Sequence, residues 1–569
     1  MRHSILGASW HELTPDSESA AALSRELGLS AIVAHILAAR GITTAGEADH
    51  YLNGGLDDLH DPMLMRDMPE AVACLRRALD SERRIRIFGD YDADGVTATA
   101  LLVRALQALG APVDYYIPHR INDGYGLNTA AISDAARDGV GLLITVDCGI
   151  SDHEHLGQAQ ELGLEVIVTD HHEPPAHLPP AAAVLNPKRA DCPYPFKDLS
   201  GVGVAYKLLA AVSADRGLRP GAERAFLDLV AIGTIADVVS LTGENRLLVK
   251  HGLDAINTTR KHGICALLRA ADITAPVTSY NVAYGMAPRL NAAGRLDHAR
   301  GATVLLLTSD PAEADRLAKH VCRLNTDRQQ EELRTVESAE EMMRTAVDLE
   351  RDRLILLASE GWHPGVIGVV ASRLLERYHR PVVMVAISDG AAKGSARSVP
   401  GFHMCDAIGG CSDLLLDYGG HALAAGFSID PVNLDPLRER LLARAAQMLR
   451  PEDLVARVTL DAWAGLDDLT LEAVESINAM APFGSGNPRP LIGLRDLSVQ
   501  ACGTVGADGK HLRLTLRGGR SSVGAIWFGF GHLAARLKQG DIVDACGLPE
   551  TDEWNGRRTV RLKLHDLTV

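Results

Sequence analysis

No run of about 18 apolar residues, the length that spans a bilayer, occurs in this chain of 569 residues. Its opening stretch, MRHSILGASWHELTPDSESA, lacks the uninterrupted apolar segment of a signal peptide. A cytoplasmic protein with no membrane role is the expectation. Nine cysteines are scattered along the chain without a C-x-x-C pair, which argues against structural zinc, and their odd number argues against a disulfide framework. A basic excess is missing too: 57 Lys and Arg face 73 Asp and Glu, a formal net charge of −16. A protein that coats a polyanion indiscriminately carries the opposite sign. Acids that hold metal ions enter that sum while the ions do not, so local charge decides more than the total. Internal repeats and low-complexity tracts are also absent.

What is present, 46% hydrophobic and 23% charged residues, describes a globular chain long enough for three or more domains. Between about residues 85 and 240 short apolar runs alternate with amphipathic stretches. The runs IRIFGD (85–90), VDYYIP (113–118), GLLITVD (141–147), EVIVTD (165–170) and AAVLN (182–186) predict strands of a mostly parallel α/β sheet. Three of them end in an acid, at Asp90, Asp147 and Asp170. Ligands of open α/β sheets bind beyond the carboxyl ends of strands, so these acids are expected to share a crevice. Residues 311–350 predict one or two long charged helices bridging domains. A second α/β unit follows, with strands at 353–359 and 381–387 around a helix beginning near Val366. After about residue 451 strand-like runs return without helices, and the mildly basic end of the chain predicts a small β-barrel.

The strongest chemical signal is GDYDADGVTATA (89–100). Asp90, Asp92 and Asp94 at i, i+2 and i+4 repel one another unless a hard cation is bound among them. A solvated acidic turn is the plainer reading. A calcium loop of the EF-hand type would need Glu at its twelfth position, where Leu101 stands. TVDCGIS (145–151) delivers Asp147 to a Cys-Gly turn, and VTDHHEPP (168–175) sets Asp170, His171 and His172 in a row. Asp237 interrupts the apolar segment AIGTIADVVSL (231–241), where an unpartnered acid is costly. Carboxylate and imidazole ligands suit Mn2+ or Mg2+ better than zinc, and there are enough of them for two ions roughly 3.5–4 Å apart. For substrate, Arg120 in PHRINDGYG (118–126) is read as reaching a terminal phosphate. Lys393, Ser395 and Arg397 in KGSARS (393–398) offer further phosphate donors, and Arg289, Asn291 and Arg295 in PRLNAAGRL (288–296) can share one patch. Each of these also fits a surface turn or a structural ion pair.

The ordered set GDYDADG, VDCG, DHH and GTIADVV is similar to the signature of the DHH phosphoesterase superfamily. PRLNAAGRL, KGSARS, GGHALAAGF (419–427) and PFGSGNPRP (482–490) resemble its single-strand-specific exonuclease branch. The resemblance runs from about residue 60 to the end. Residues 1–60, outside it, show helical periodicity and predict a helical segment, whereas the resemblance implies a DHH domain at 61–310, the interdomain helix at 311–350, a DHH-associated domain at 351–450 and an OB barrel at 451–569. It further implies Asp92, Asp94, Asp147, His171 and Asp237 as ligands of two Mn2+ or Mg2+ ions, with Asp147 bridging them. His172, Asp147 and Asp90 become the catalytic groups, His172 beside the scissile phosphate. Arg120, Arg289, Asn291, Arg295, Ser395, Arg397 and His421 bind substrate, with recognition of a 5′ phosphate giving direction. Trp527, Phe528 and Phe530 could stack bases or belong to the barrel core. The implied activity is 5′-to-3′ hydrolysis of single-stranded DNA to mononucleotides in repair and recombination. The implied protein is a monomer, with a single-strand-binding protein and a helicase as partners. A phosphodiesterase of short oligonucleotides and a catalytically silent nucleic-acid scaffold are the alternatives.

Overall fold

The computed structural model describes residues 4–120, 122–388, 390–554 and 556–569. Five parallel strands form the first sheet, in the order Val113–Tyr116, Arg84–Gly89, Val140–Val146, Glu165–Thr169, Ala183–Leu185. Parallel strands need cover on both faces, which explains their near-continuous apolar sequences. Ile85 and Ile87 enter one core and Phe88 the opposite one, as the two-residue period of a strand requires. The larger core takes the helices Ala93–Ala108, Gly201–Asp215 and Leu227–Ala236, which are buried along most of their length. All five strands point the same way, so Asp90, Asp147 and Asp170 emerge at one edge of the sheet.

The charged stretch after residue 310 is a single helix, Pro311–Ala346, of 36 residues, about 54 Å long at 1.5 Å per residue. Asp310 starts it by accepting a hydrogen bond from Ala312 N at 2.9 Å. It leads to a second sheet ordered Leu415–Gly420, Ala424–Ile429, Ala391–Arg397, Val382–Ser388, Ile355–Ser359, antiparallel except for the last pair. KGSARS, for which a surface turn was the plainer reading, lies in the strand Ala391–Arg397 up to its last residue, and GGHALAAGF is a hairpin turn with its flanking strands. A five-stranded barrel completes the chain. Ile492–Val505 closes it by pairing with both His511–Gly518 and Ile542–Trp554.

The N-terminal segment packs on this barrel, with Leu23, Val33, Ile36 and Leu37 sharing a core with Leu494, Leu512 and Leu562. It is not wholly helical, because Ser9–Glu12 pairs in parallel with Arg457–Leu460. No helix among the described residues is long and apolar enough to cross a membrane. Two arginines join the parts. Arg40 donates to Asp461 Oδ1, Asn487 Oδ1 and Pro488 O. Buried Arg246, in the DHH region, donates to Tyr51 O, Met480 O and Ala481 O at 2.8–2.9 Å and lies 3.9 Å from the Tyr51 ring centre. Arg246→Met takes the donor from Tyr51 O and Ala481 O, while Met480 O keeps Tyr51 Oη and Asn487 Nδ2, and is expected to cost about 3 kcal/mol, since each unsatisfied group costs roughly 1–3. Calorimetry should give a lower Tm, and the N-terminal helices should exchange amide hydrogens first; an unchanged Tm would contradict this role.

Candidate active site

Asp92 caps the helix Ala93–Ala108, its Oδ1 accepting from Asp94 N at 2.9 Å and Gly95 N at 3.1 Å. That leaves its second oxygen for another partner. Asp94 turns inward onto a different helix start, where Gly201 N and Val202 N donate to its two oxygens at 2.7 and 2.9 Å. A helix N-terminus favours negative charge there. Asp147 follows the strand Val140–Val146 with φ 62°, a strained conformation for a residue with a side chain. Its N–H donates to Thr169 O and holds it there. Glycine makes room for each acid. A Cβ on Gly95 would lie 2.6–2.7 Å from Asp90, one on Gly201 2.6–2.7 Å from Asp147, and one on Gly233 2.6 Å from Asp94 Oδ1.

These acids gather with His171 and Asp237. Ligand atoms of Asp90, Asp92 and Asp147 lie within 4.8 Å of one another; so do those of Asp94, His171 and Asp237, and those of Asp147, His171 and His172. Burial, and then the neighbouring acids, push the carboxyls of Asp90, Asp147 and Asp237 well above their usual range and that of Asp94 up to about 7. Burial and the neighbouring His172 charge hold His171 down at about 3, leaving a neutral ring able to ligate. Its Nε2 approaches Asp147 Oδ1 at 3.1 Å without hydrogen-bond geometry. Asp90 Oδ1, Asp147 Oδ1 and His171 Nε2 are all buried with no hydrogen-bond partner. Buried polar atoms are rarely abandoned. Oxygen and imidazole donors left unpaired around mutually repelling acids fit divalent cations, with Asp147 common to two of the groups.

His172 is positioned by a residue that carried no role in the sequence reading. Asp170, fully buried, accepts from Ile150 N, His171 N and His172 N, and from His172 Nδ1 at 2.7 Å. Burial opposes ionisation of Asp170, but the hydrogen bond and charge of His172 outweigh it and hold the carboxyl below its usual value. Burial likewise opposes protonation of His172, and Asp170 overcomes it, raising the ring to about 9. Tyr125 Oη lies 3.2 Å from the same Nδ1.

Helix Ala287–Leu296 packs on the acidic loop through Asn291, whose Oδ1 accepts from Ala93 N at 2.8 Å, and through Gly294, which faces Tyr91 O. Arg295 thereby projects into a cluster with Arg120, Arg328 and Arg397. Burial, then repulsion from those three, lowers its guanidinium to about 10. Of these four arginines, only Arg328 pairs with a carboxylate among the described residues, Glu332 at 2.7 Å. Arg120 lies 4.9 Å from the centre of the Tyr91 ring, and Arg295 donates to Gly365 O at 3.0 Å. Ser395 and Arg397 share one face of their strand, two residues apart, against Gly368 in the first turn of the helix Ile367–Tyr378. Sequence reading missed Arg328, one charge among many on a long polar helix.

Residues 84–234 match the model of the DHH family N-terminal domain, residues 351–447 that of the DHHA1 domain, and residues 460–566 that of the RecJ OB domain. The single-stranded-DNA-specific exonuclease RecJ of Bacillus subtilis (strain 168) is 37% identical, over 98% of this chain and 71% of its own length. RecJ of Dickeya dadantii (strain 3937) is also 37% identical, over 95% of this chain and 96% of its own. The chain belongs to the RecJ family. The crystal structure of RecJ in complex with Mn2+ from Thermus thermophilus has a TM-score of 0.85 and 35% identity, covering 98% of this chain and 79% of that one. That protein's complex with Mg2+ gives 0.79 and 34%, covering 98% and 78%.

Other residues expected to bind substrate in this RecJ-family chain make no hydrogen bond or ion pair with the acids among the described residues. Arg289 donates to Gly285 O while its buried Nε has no partner. His421 is exposed in the hairpin turn, its N–H donating to Ala424 O. Of the three barrel aromatics, Trp527 is buried and stacks on Phe530, whereas Phe528 is 47% exposed with Lys563 5.8 Å from its ring. Gly201→Ala tests the fit of the acids directly. Its Cβ displaces Asp147, so the folded protein is expected to bind Mn2+ about 10–100-fold more weakly, the usual effect of disturbing a ligand's support. Calorimetric titration alongside circular dichroism measures this, and native affinity would overturn the assignment.

Proposed function

We propose that this chain is a single-stranded-DNA-specific exonuclease that works from the 5′ end and releases 5′ mononucleotides by two-metal hydrolysis, in DNA repair and recombination. One observation carries the proposal: the acidic group and the arginine cluster adjoin, joined through Tyr91, which follows Asp90, precedes Asp92 and stacks under Arg120. A terminal phosphate held by the arginines lies beside the acids, so the distance between the two sites sets the length of the product.

Asp92, Asp94, Asp147, His171 and Asp237, joined by Asp90, would hold two Mn2+ or Mg2+ ions. Bound there, the ions activate water for attack and offset charge on the phosphoryl oxygens. With Nδ1 of His172 committed to Asp170, Nε2 is the atom left to face the scissile phosphate, where a protonated ring offers charge and a proton. Arg120, Arg295, Arg328 and Arg397, with Ser395, take the terminal phosphate, and guanidinium groups suit it geometrically. Arg289 and the free amide of Asn291 contact the backbone behind it, and His421 the strand from the second domain. Contacts to phosphate carry no base information, so the enzyme discriminates strandedness rather than sequence. The reading extends to a cytoplasmic monomer acting on strands opened by a helicase and covered by a single-strand-binding protein, partners that the family suggests.

The test is digestion of end-labelled single-stranded and duplex DNA with Mn2+ or EDTA, comparing native protein with Asp147→Ala and Arg397→Ala. The native protein should release a 5′ label as mononucleotide from the single strand alone, and Asp147→Ala should release none. Arg397→Ala should lose about tenfold or more in kcat/KM on 5′-phosphorylated substrate and little on 5′-hydroxyl substrate, as expected for one charged hydrogen bond. Hydrolysis confined to di- to tetranucleotides would replace the proposal with a short-oligonucleotide phosphodiesterase.

A further inference from the structure

The helix bearing Arg289, Asn291 and Arg295 is preceded by a turn of unusual form. Ser279–Asn281 is α-helical, Val282–Met286 is π-helical, and Ala287–Leu296 is α-helical again. Single π turns occur mostly where a function repays their poorer geometry. Val282 and Met286 are buried, and a Cβ on Gly285 would meet Ile273, so the inward side is filled by aliphatic residues. The two aromatic residues face outward. Tyr280 is 63% exposed and Tyr284 70% exposed, and their ring centres lie 4.6 Å apart with a 36° tilt. Large aromatics usually enter cores, and two in contact with each other at the surface form an apolar patch that asks for an occupant.

Their position names the occupant. Ser279, adjacent to Tyr280, donates from Oγ to Phe483 O at 2.6 Å, in the loop that leads into the barrel. The same loop takes Leu241 N on Ser485 O at 2.8 Å, and its Gly486 packs on Ser240. Leu241 is four residues beyond Asp237. Between them Val238 is held at φ 61° with its side chain 68% exposed, a genuine outlier for a β-branched residue. The barrel-linking loop, exposed at Gly484, Ser485 and Gly486, therefore joins the segment that carries Val238 beside the acidic group to the segment that carries the tyrosines, with exposed apolar side chains at both ends. In the other direction Asn291, seven residues past Tyr284 and roughly 10 Å along the helix axis, touches the acidic loop.

We infer that Tyr280 and Tyr284 form a stacking platform for nucleobases of the single strand between the barrel and the metal centre, about three nucleotides from the acids at 3.4 Å per stacked nucleotide. The inference rests on the reading given above. Aromatic rings serve a sequence-blind enzyme because every base has a π-face.

The test uses full-length native protein, Tyr280→Ala, Tyr284→Ala, the double substitution, and Tyr280→Phe with Tyr284→Phe. Steady-state kinetics are followed on a 5′-phosphorylated oligonucleotide and on the same strand with abasic sites at nucleotides two to five. Each alanine is expected to raise KM about tenfold on the normal strand with kcat little altered. Phenylalanine should restore the native KM, and the abasic strand should bind native and substituted proteins alike. 2-Aminopurine placed at those nucleotides should be quenched by the native protein and not by the double alanine variant, in EDTA. Alanine variants with native KM and native quenching, or an equal loss on the abasic strand, would overturn the platform while leaving the exonuclease reading standing. If the native protein neither shortens nor binds the strand, the functional reading fails and the platform with it.

Discussion

Electrostatic crowding at the carboxyl edge of the first sheet is the constraint on which the rest depends. Asp90, Asp94 and Asp147 are almost fully buried in overlapping groups whose ligand atoms lie within 4.8 Å, with Asp92 and Asp237 at their border. Placing that much like charge in a poorly solvated crevice is tolerable only if protons or cations neutralise it. Backbone donors at the starts of two helices relieve Asp92 and Asp94, and glycines at 95, 201 and 233 let backbone and helices approach closely enough to do so. Asp90 Oδ1, Asp147 Oδ1 and His171 Nε2 receive no such relief. The site is organised for a ligand that supplies positive charge.

The arginine cluster is the complementary feature, and neither sheet region makes it alone. Arg120 and Arg295 come from the DHH region, Arg328 from the bridging helix and Arg397 from the second sheet. Their repulsion is costly without an anion, just as the acids are costly without cations. A phosphodiester with a terminal phosphate would satisfy both at once, a physical reason for the two sheets to be held by one long helix rather than by a flexible linker. The contact of Arg295 with Gly365 O shows how closely the two halves approach at that point.

Much of this was legible in the sequence where chemistry coincides with strong periodicity. Apolar runs ending in Asp at 90, 147 and 170 located the crevice, because a parallel sheet delivers its strand ends to one side. The 36-residue helix was legible as a stretch free of breakers. The second sheet was harder. Ala392, Gly394 and Ala396 form the inward face of the KGSARS strand, and residues so small give no hydrophobic alternation to read. The 14-residue barrel strand Ile492–Val505 was hidden because irregular register at two places breaks its period. The supports of the site were invisible for another reason. The positive φ of Asp147, the role of Gly201 and the place of Arg328 depend on segments far apart in the chain, and no local spacing encodes them. His421, singled out by its motif as a substrate contact, stands on an exposed hairpin turn, a placement that the motif alone does not encode.

The central claim is that these acids and His171 form a site for two divalent ions bridged by Asp147. Anomalous diffraction from crystals grown with Mn2+, measured on both sides of the manganese absorption edge, tests it most directly. Two peaks roughly 3.5–4 Å apart should appear, both within reach of Asp147, one on the side of Asp90 and Asp92 and the other on the side of Asp94, His171 and Asp237. A single peak, or peaks away from Asp147, would contradict the account.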